Sequence, residues 1–469
     1  MWLTESLEES LLGTRYLELA GKISAAVLFL LIMVACAWDA HAVLLGTVDI
    51  ASASAGEGDL AKQVCLLLLF AATLFAIILR GDVRLFLAPP VIFLPLLGWC
   101  WLSLLWAIDP GAALRRIGLT TVVVLTVSYS VQLMSFRRSM NVLSAALCCI
   151  LLINWIAVAL FPLAIHQSDE MDQALIGSWR GIHKEKNEAG AVLALCLIIF
   201  IHETFRFRSY LGGLVLVFLS TAFLYQTHSK TSGAVALVAL VIGALSRWSY
   251  HNPKLRQGLA IVILAGIAMA APFTRDLVEA QLRILEDPAS FTGRTQVWPV
   301  LLDFFSDHPL LGAGYGSFWA IGFDSPVFQY GSGWVTTIFL AHNGYLDLLV
   351  QIGAIGLGIA VTCLVIYPFY VLFCRPLPSS ASRTLICAVL AFGCLRDLLE
   401  TTLLDRANPT WVVMVLMYAL LFKGQVDAQL EQIPSEPNQR ACPARGQSDS
   451  SCWLGLEASG DGEDLVGGP

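Results

Sequence analysis

The sequence predicts an all-α, polytopic integral membrane helix bundle, and three observations lead there. Hydrophobic residues make up 57% of the 469-residue chain and charged residues only 13%, against about 25% charged in a typical soluble protein. The apolar residues come in long runs that need a lipid solvent. The charges gather mostly between those runs.

In order, the apolar runs cover residues 22–38, 63–79, 85–106, 117–134, 142–160, 187–201, 210–226, 233–245, 259–272, 353–373, 385–399 and 411–422. A span needs about 20 residues, so the shorter runs must borrow flanking residues or pack inside the bundle, and the chain reads as having about twelve transmembrane helices. Residues 1–21 are polar and acidic, without a recognisable cleavage site, and read as a cytoplasmic segment leading into a retained first helix. Residues 22–423 form the predicted membrane domain. It includes a long periplasmic loop over 273–337, between the ninth and tenth spans, whose Trp and Tyr content argues for order. Residues 424–469 are polar, acidic and rich in Ser, Gly and Pro, and read as a disordered cytoplasmic tail.

The twelve cysteines show neither metal-ligand spacing nor a pairing pattern, and most lie inside apolar runs as small hydrophobes. The net charge of −7 sits largely in the tail, and no nucleic-acid partner is expected.

Lys and Arg in the short connections set the orientation. One alternating set carries Arg80 and Arg84, Arg137 and Arg138, Arg206 and Arg208, Arg247 with Lys254 and Arg256, then Arg375 and Arg383. This set belongs in the cytoplasm, with both termini. Arg115, Arg116, Arg180, Lys184, Lys186, Lys230, Arg275, Arg283 and Arg294 then fall on the outer face, against the usual bias. A site for a polyanionic ligand there accounts for them.

Three outer segments are rich enough in polar groups to carry chemistry. Residues 178–190 hold Trp179, Arg180, Lys184, Lys186 and Asn187, and run directly into a span. Arg180 can fork onto phosphate oxygens, and a helix start near Asn187 adds positive potential. The two lysines also suit a plainer role as interfacial anchors, with Trp179 in the aromatic belt. Residues 291–298 place Arg294 after a glycine and before a short amphipathic helix. Gly312, Gly314 and Gly316, with Tyr315 among them, then permit a tight turn, and no strand–helix context makes them a nucleotide fingerprint. Residues 341–356 put His342 and Asn343 where the outer loop turns into a helix. A histidine there is suited to accepting a proton, although a lone interfacial histidine is often structural.

Together these segments resemble the O-antigen ligase and polymerase superfamily, nearest to its exopolysaccharide-polymerase-like branch. The best match is the pattern formed by His342, Asn343, Gly353 and Gly356. The Trp179-Arg180-Gly181 and Arg294-Thr295 segments fit as well, as do residues 308–315, residues 102–110 followed by Arg115 and Arg116, and Ser229-Lys230-Thr231. They occur in family order across residues 95–420. One departure is residues 184–187, Lys-Glu-Lys-Asn, where a tighter His-Lys-Asn is expected, which blurs which lysine matters.

The resemblance implies a lipid-dependent glycosyltransferase in the bacterial cytoplasmic membrane with its active site facing the periplasm. Its donor would be an oligosaccharide on polyprenyl (undecaprenyl) diphosphate. Its other partners would be a glycan or lipid acceptor, membrane lipids and further polysaccharide-export components. By motif, Arg180 and Arg294 would hold the diphosphate and His342 would act on the acceptor. Arg115, Arg116, Lys184, Lys186, Asn187, Lys230, Tyr315 and Asn343 would contact substrate. The scheme uses no metal and no cofactor, and direct displacement inverts the anomeric centre. Polymerase and ligase differ only in acceptor. A transporter would place its charges near the bilayer midplane, and a non-catalytic scaffold would tolerate replacement of all three catalytic candidates.

Overall fold

The computed structural model describes residues 2–46, 59–81, 91–167, 175–204, 210–258, 294–375, 377, 379–406 and 408–430. Among these residues the regular structure is helical, joined by turns and irregular loops, with no strand and only isolated bridges such as Ile165 with Trp179. The long helices are α1 (Trp2–Ala37), α3 (Leu60–Arg80), α5 (Pro110–Gln132), α6 (Phe136–Leu160), α7 (Lys186–Thr204), α8 (Tyr210–Gln226) and α9 (Lys230–His251). After the long loop come α12 (Gly344–Val361), α14 (Ser380–Arg396) and α15 (Pro409–Leu430). Shorter pieces are α2 (Ala40–Leu45), α4 (Phe93–Leu102), α10 (Arg294–Asp307), α11 (Pro326–Tyr330) and α13 (Tyr367–Cys374).

Seven helical stretches are long and apolar enough to cross a membrane: Thr14–Leu45, Leu60–Arg80, Pro110–Gln132, Phe136–Leu160, Lys186–Thr204, Lys230–His251 and Gly344–Cys374. Phe93–Leu105 and Tyr210–Gln226 are shorter apolar helices. The predicted run 259–272 lies outside the described residues. So do most of the first part of the long loop and the chain beyond 430. Two boundaries differ from expectation. The helix leading into the first span begins at Trp2, so the polar segment continues the helix. At the other end, α15 runs to Leu430, past the apolar run and into the expected tail.

Local sequence sets these ends. Asp59, Asp109, Ser135 and Asn343 each cap a helix by accepting a backbone N–H, from Lys62, Ala112, Arg138 and Leu346. Pro110 at the first position of α5 gives up an N–H that had no helical partner. Within the helices, Thr73, Thr120, Thr126, Ser128 and Ser220 bond the carbonyl four residues back. That satisfies their hydroxyls where no water is at hand.

Small residues let helices close up. Helix α9 packs along α14, where a Cβ on Gly243 would stand 2.7 Å from the Thr384 carbonyl. At the end of that contact, fully buried Arg383 donates to the carbonyls of Leu372 and Arg375 and lies over the Tyr250 ring, 4.0 Å from its centroid.

The described part of the long loop folds on a small core of its own. Val297, Leu301, Phe304, Phe318, Trp319 and Val327 pack together with Val350 of α12. The expected turn is present: Gly312, Gly314 and Gly316 all take positive φ, of 67°, 87° and 70°. Helix α12 is broken at Gly353, at φ 69° and ψ −179°. Ala313 N–H donates to Val350 O and Ala354 N–H to Pro309 O, both at 2.9 Å, across that break. The predicted span starting at 353 therefore begins at a real discontinuity, preceded by a short helix that packs on the loop.

Candidate functional site

His342 sits in a left-handed conformation, φ 51°, immediately before α12. This is uncommon for a residue with a side chain and is held from several sides. Trp298 Nε1 donates to Ala341 O at 2.9 Å, and Asn343 caps the helix. The Gly344 N–H points at two carbonyls of the segment after α14, Asp397 O at 2.7 Å and Glu400 O at 3.0 Å. That attachment brings a carboxylate to the histidine. Glu400 Oε2 lies 3.5 Å from His342 Nδ1, an ion-pair distance too poorly aligned for a hydrogen bond.

The glutamate is fixed from its other oxygen. Asn187 Nδ2, in the first turn of α7, donates to Glu400 Oε1 at 3.0 Å. Ser229 Oγ, at the start of α9, donates in turn to Asn187 Oδ1 at 3.2 Å. Arg396 Nη2 bonds the Asn187 carbonyl at 3.2 Å. A Cβ on Gly190 would stand 2.6 Å from the Ser229 side chain, so α7 and α9 meet closely there. Four segments distant in sequence thus converge on one imidazole. Glu400 is 7% exposed and the His342 side chain 24%, so the pair is sheltered while the ring keeps access to the surface.

A second polar region opens beside α12. A cavity of about 250 Å³ is lined by Arg116, Tyr315, Trp319, Asp347, Gln351 and Arg406, among others. Arg116 donates to the carbonyls of Gly316, Trp319 and Ala320, at 2.6, 2.7 and 3.0 Å, and so clasps the glycine turn. Asp347 accepts from Trp319 Nε1 at 2.5 Å and from Gln351 Nε2 at 2.6 Å. Gln351 Oε1 accepts the Gly316 N–H at 2.7 Å. Tyr315 donates its hydroxyl to Leu404 O at 2.7 Å, and burial holds that phenol well above its ordinary pKa.

The remaining sequence candidates lie outside these two clusters. Arg180 Nε donates to Leu163 O at 2.7 Å and helps fold its own loop. Lys184 is exposed and pairs with Asp39 at 3.1 Å. Trp179, expected in the interfacial belt, packs edge-on against Trp155 and Phe223. Lys186 opens α7 half-buried, while Lys230 at the start of α9 and Arg115 on α5 are exposed. Arg294 opens α10, and its side chain lies outside the described residues. The structure therefore unites His342, Asn343 and Asn187 in one cluster, and Arg116 and Tyr315 in the cavity. Glu400 and Arg406 were not singled out by sequence reasoning. Both lie in the short connection between the runs read as spans 385–399 and 411–422. Among the described residues, no group of three His, Cys, Asp or Glu side chains is placed to hold a metal ion.

The fold is that of a polytopic helical membrane protein, and its stretch from α8 to α12 is similar to a known family: a family model described as "O-Antigen ligase" matches residues 214–361. That stretch includes Lys230, Arg294, Tyr315, His342, Asn343 and Gly353. The chain is also similar to the "Exopolysaccharide production protein ExoQ" of Rhizobium meliloti (strain 1021), at 24% identity over 206 residues. The match covers 41% of this chain and 46%, about half, of the relative's length. The resemblance to the O-antigen ligase superfamily, on its exopolysaccharide-polymerase-like side, rests on these two findings together.

Proposed function

We propose that this chain is a membrane glycosyltransferase. It moves an oligosaccharide from polyprenyl (undecaprenyl) diphosphate to a sugar hydroxyl on the outer face of the bacterial cytoplasmic membrane, polymerising exopolysaccharide or O-antigen repeat units. The observation that carries this reading is the His342–Glu400 pair, held by Asn187 and Ser229 at the mouth of a broken helix.

In this reaction the acceptor hydroxyl oxygen attacks the anomeric carbon. The bond from that carbon to the diphosphate oxygen breaks, and its electron pair leaves with the polyprenyl diphosphate. The hydroxyl proton passes to His342 Nε2. Glu400, beside Nδ1, favours the tautomer with its proton on that nitrogen and stabilises the imidazolium as it forms. Arg180 and Arg294 neutralise the growing diphosphate charge, so no strong general acid is required. Attack from the face opposite the leaving group inverts the centre.

A second reading is a ligase acting on a lipid core or protein acceptor. The description of the matching family model favours it. Reconstitution with polyprenyl-diphosphate oligosaccharide separates the two by product size. A ladder of multiples on the lipid carrier, erased in His342→Ala, is the expected result. A single shift onto an added acceptor would assign the ligase instead. No product with either acceptor, from folded protein that binds donor, would overturn both.

A further inference from the structure

We infer that the cavity between α5, the first turns of α12 and residues 401–406 is a subsite for one carboxylate-bearing sugar residue of the glycan, with Arg406 as its anion anchor. The inference rests on the glycan-transfer reading above and goes beyond it to substrate chemistry.

Arg406 is the distinctive group. Arg116 spends its guanidinium on three backbone carbonyls, and Asp347 spends both oxygens on Trp319 and Gln351. Among the described residues no hydrogen bond or ion pair engages the Arg406 side chain, although it lines the same cavity. It is also close enough to Arg116 for the two cations to repel. An anion placed against Arg406 relieves that repulsion. A guanidinium fork matches a planar carboxylate with two parallel hydrogen bonds.

The rest of the lining suits sugar hydroxyls. Thr401 Oγ1 is buried with no hydrogen-bond partner, at a position that lines the cavity. Buried hydroxyls are nearly always bonded, so this one is available to a ligand. Asp405 adds an acceptor, and Trp319 an aromatic wall. The cavity, about 250 Å³, is many times the roughly 10–15 Å³ needed to admit one water and has room for a sugar ring with its substituents. A diphosphate fits the electrostatics less well. Its several charges would enter a cavity that Asp347 and Asp405 also line, whereas a carboxylate brings a single charge to Arg406.

The test is direct binding to the full-length protein in lipid nanodiscs, by saturation-transfer NMR. The probes are a uronic-acid trisaccharide and a neutral glucose trisaccharide of matched linkage. The acidic trisaccharide is expected to bind at least tenfold tighter. Arg406→Gln should abolish that preference while leaving the thermal transition unchanged. Thr401→Val should weaken both sugars without altering their ratio, which keeps the proposal testable if the arginine variant is poorly folded. Equal wild-type affinities, or a preference that survives Arg406→Gln, would overturn the inference. So would inorganic pyrophosphate displacing the acidic sugar through Arg406, since that assigns the cavity to the donor's diphosphate. The assay reads no transfer, so its failure leaves the proposed reaction standing. Loss of transfer with the binding preference intact counts against that reaction alone.

Discussion

Glu400 Oε2 stands 3.5 Å from His342 Nδ1, although the two residues belong to different segments that meet only because the Gly344 N–H bonds the carbonyls of Asp397 and Glu400. Glu400→Gln keeps an acceptor for Asn187 and removes only the charge. Transfer should fall about tenfold to a hundredfold, within the range general-base assistance supplies, while donor binding is retained. The check is product-ladder rate beside donor affinity. An unchanged rate would leave the glutamate a purely structural part.

Gly344 cannot carry a side chain in this arrangement, because its Cβ would overlap the Asp397 carboxylate. Gly344→Ala should destabilise the protein by about 1–3 kcal/mol, the usual cost of overpacking. It should also push His342 away from Glu400 and so depress transfer. Thermal unfolding in detergent and the transfer assay read the two effects separately.

Trp319 donates its indole N–H to Asp347 Oδ1 in a buried site. Trp319→Phe keeps most of the ring and strands that oxygen, at a cost of about 1–3 kcal/mol. Measured as a melting shift, the loss should shrink when Asp347→Asn is combined with it, since the stranded charge is then gone. Strict additivity of the two variants would contradict the coupling.

Arg383 is buried, bonds two carbonyls near the end of α13 and covers the Tyr250 ring. Arg383→Lys keeps the charge and loses the fork and the flat stacking face. Stability should drop by about 1–3 kcal/mol, the scale of an incompletely satisfied buried polar group. Transfer per folded molecule should not change. A variant as stable as the parent would mean that one ammonium suffices there.

The membrane-crossing pattern was legible because apolar runs report directly on a lipid solvent. The runs at 210–226 and 142–160 end where α8 and α6 end. Local signals carried similar weight. The glycines at 312, 314 and 316 signal a tight turn, which the structure shows with positive φ, and Asn343 signals a helix start. Tertiary pairing was not legible. Glu400 follows Leu398 and Leu399 and precedes Thr401, and nothing in that order says it faces His342. Arg116 reads in the sequence as a substrate-contacting cation, and nothing there shows that it also clasps the glycine turn. A charged residue at a membrane surface has the same sequence appearance whether it meets a carbonyl, a carboxylate or a substrate.

The break at Gly353 divides labour within one stretch of chain. Its N-terminal piece, with Val350 in the loop's core and its carbonyl accepting the Ala313 N–H, belongs mechanically to the long loop. The piece beyond the break belongs to the bilayer. Changes in the loop and the piece packed on it can therefore accumulate without retuning the apolar helix beyond the break, so surface chemistry and membrane anchorage are separately evolvable traits of this molecule.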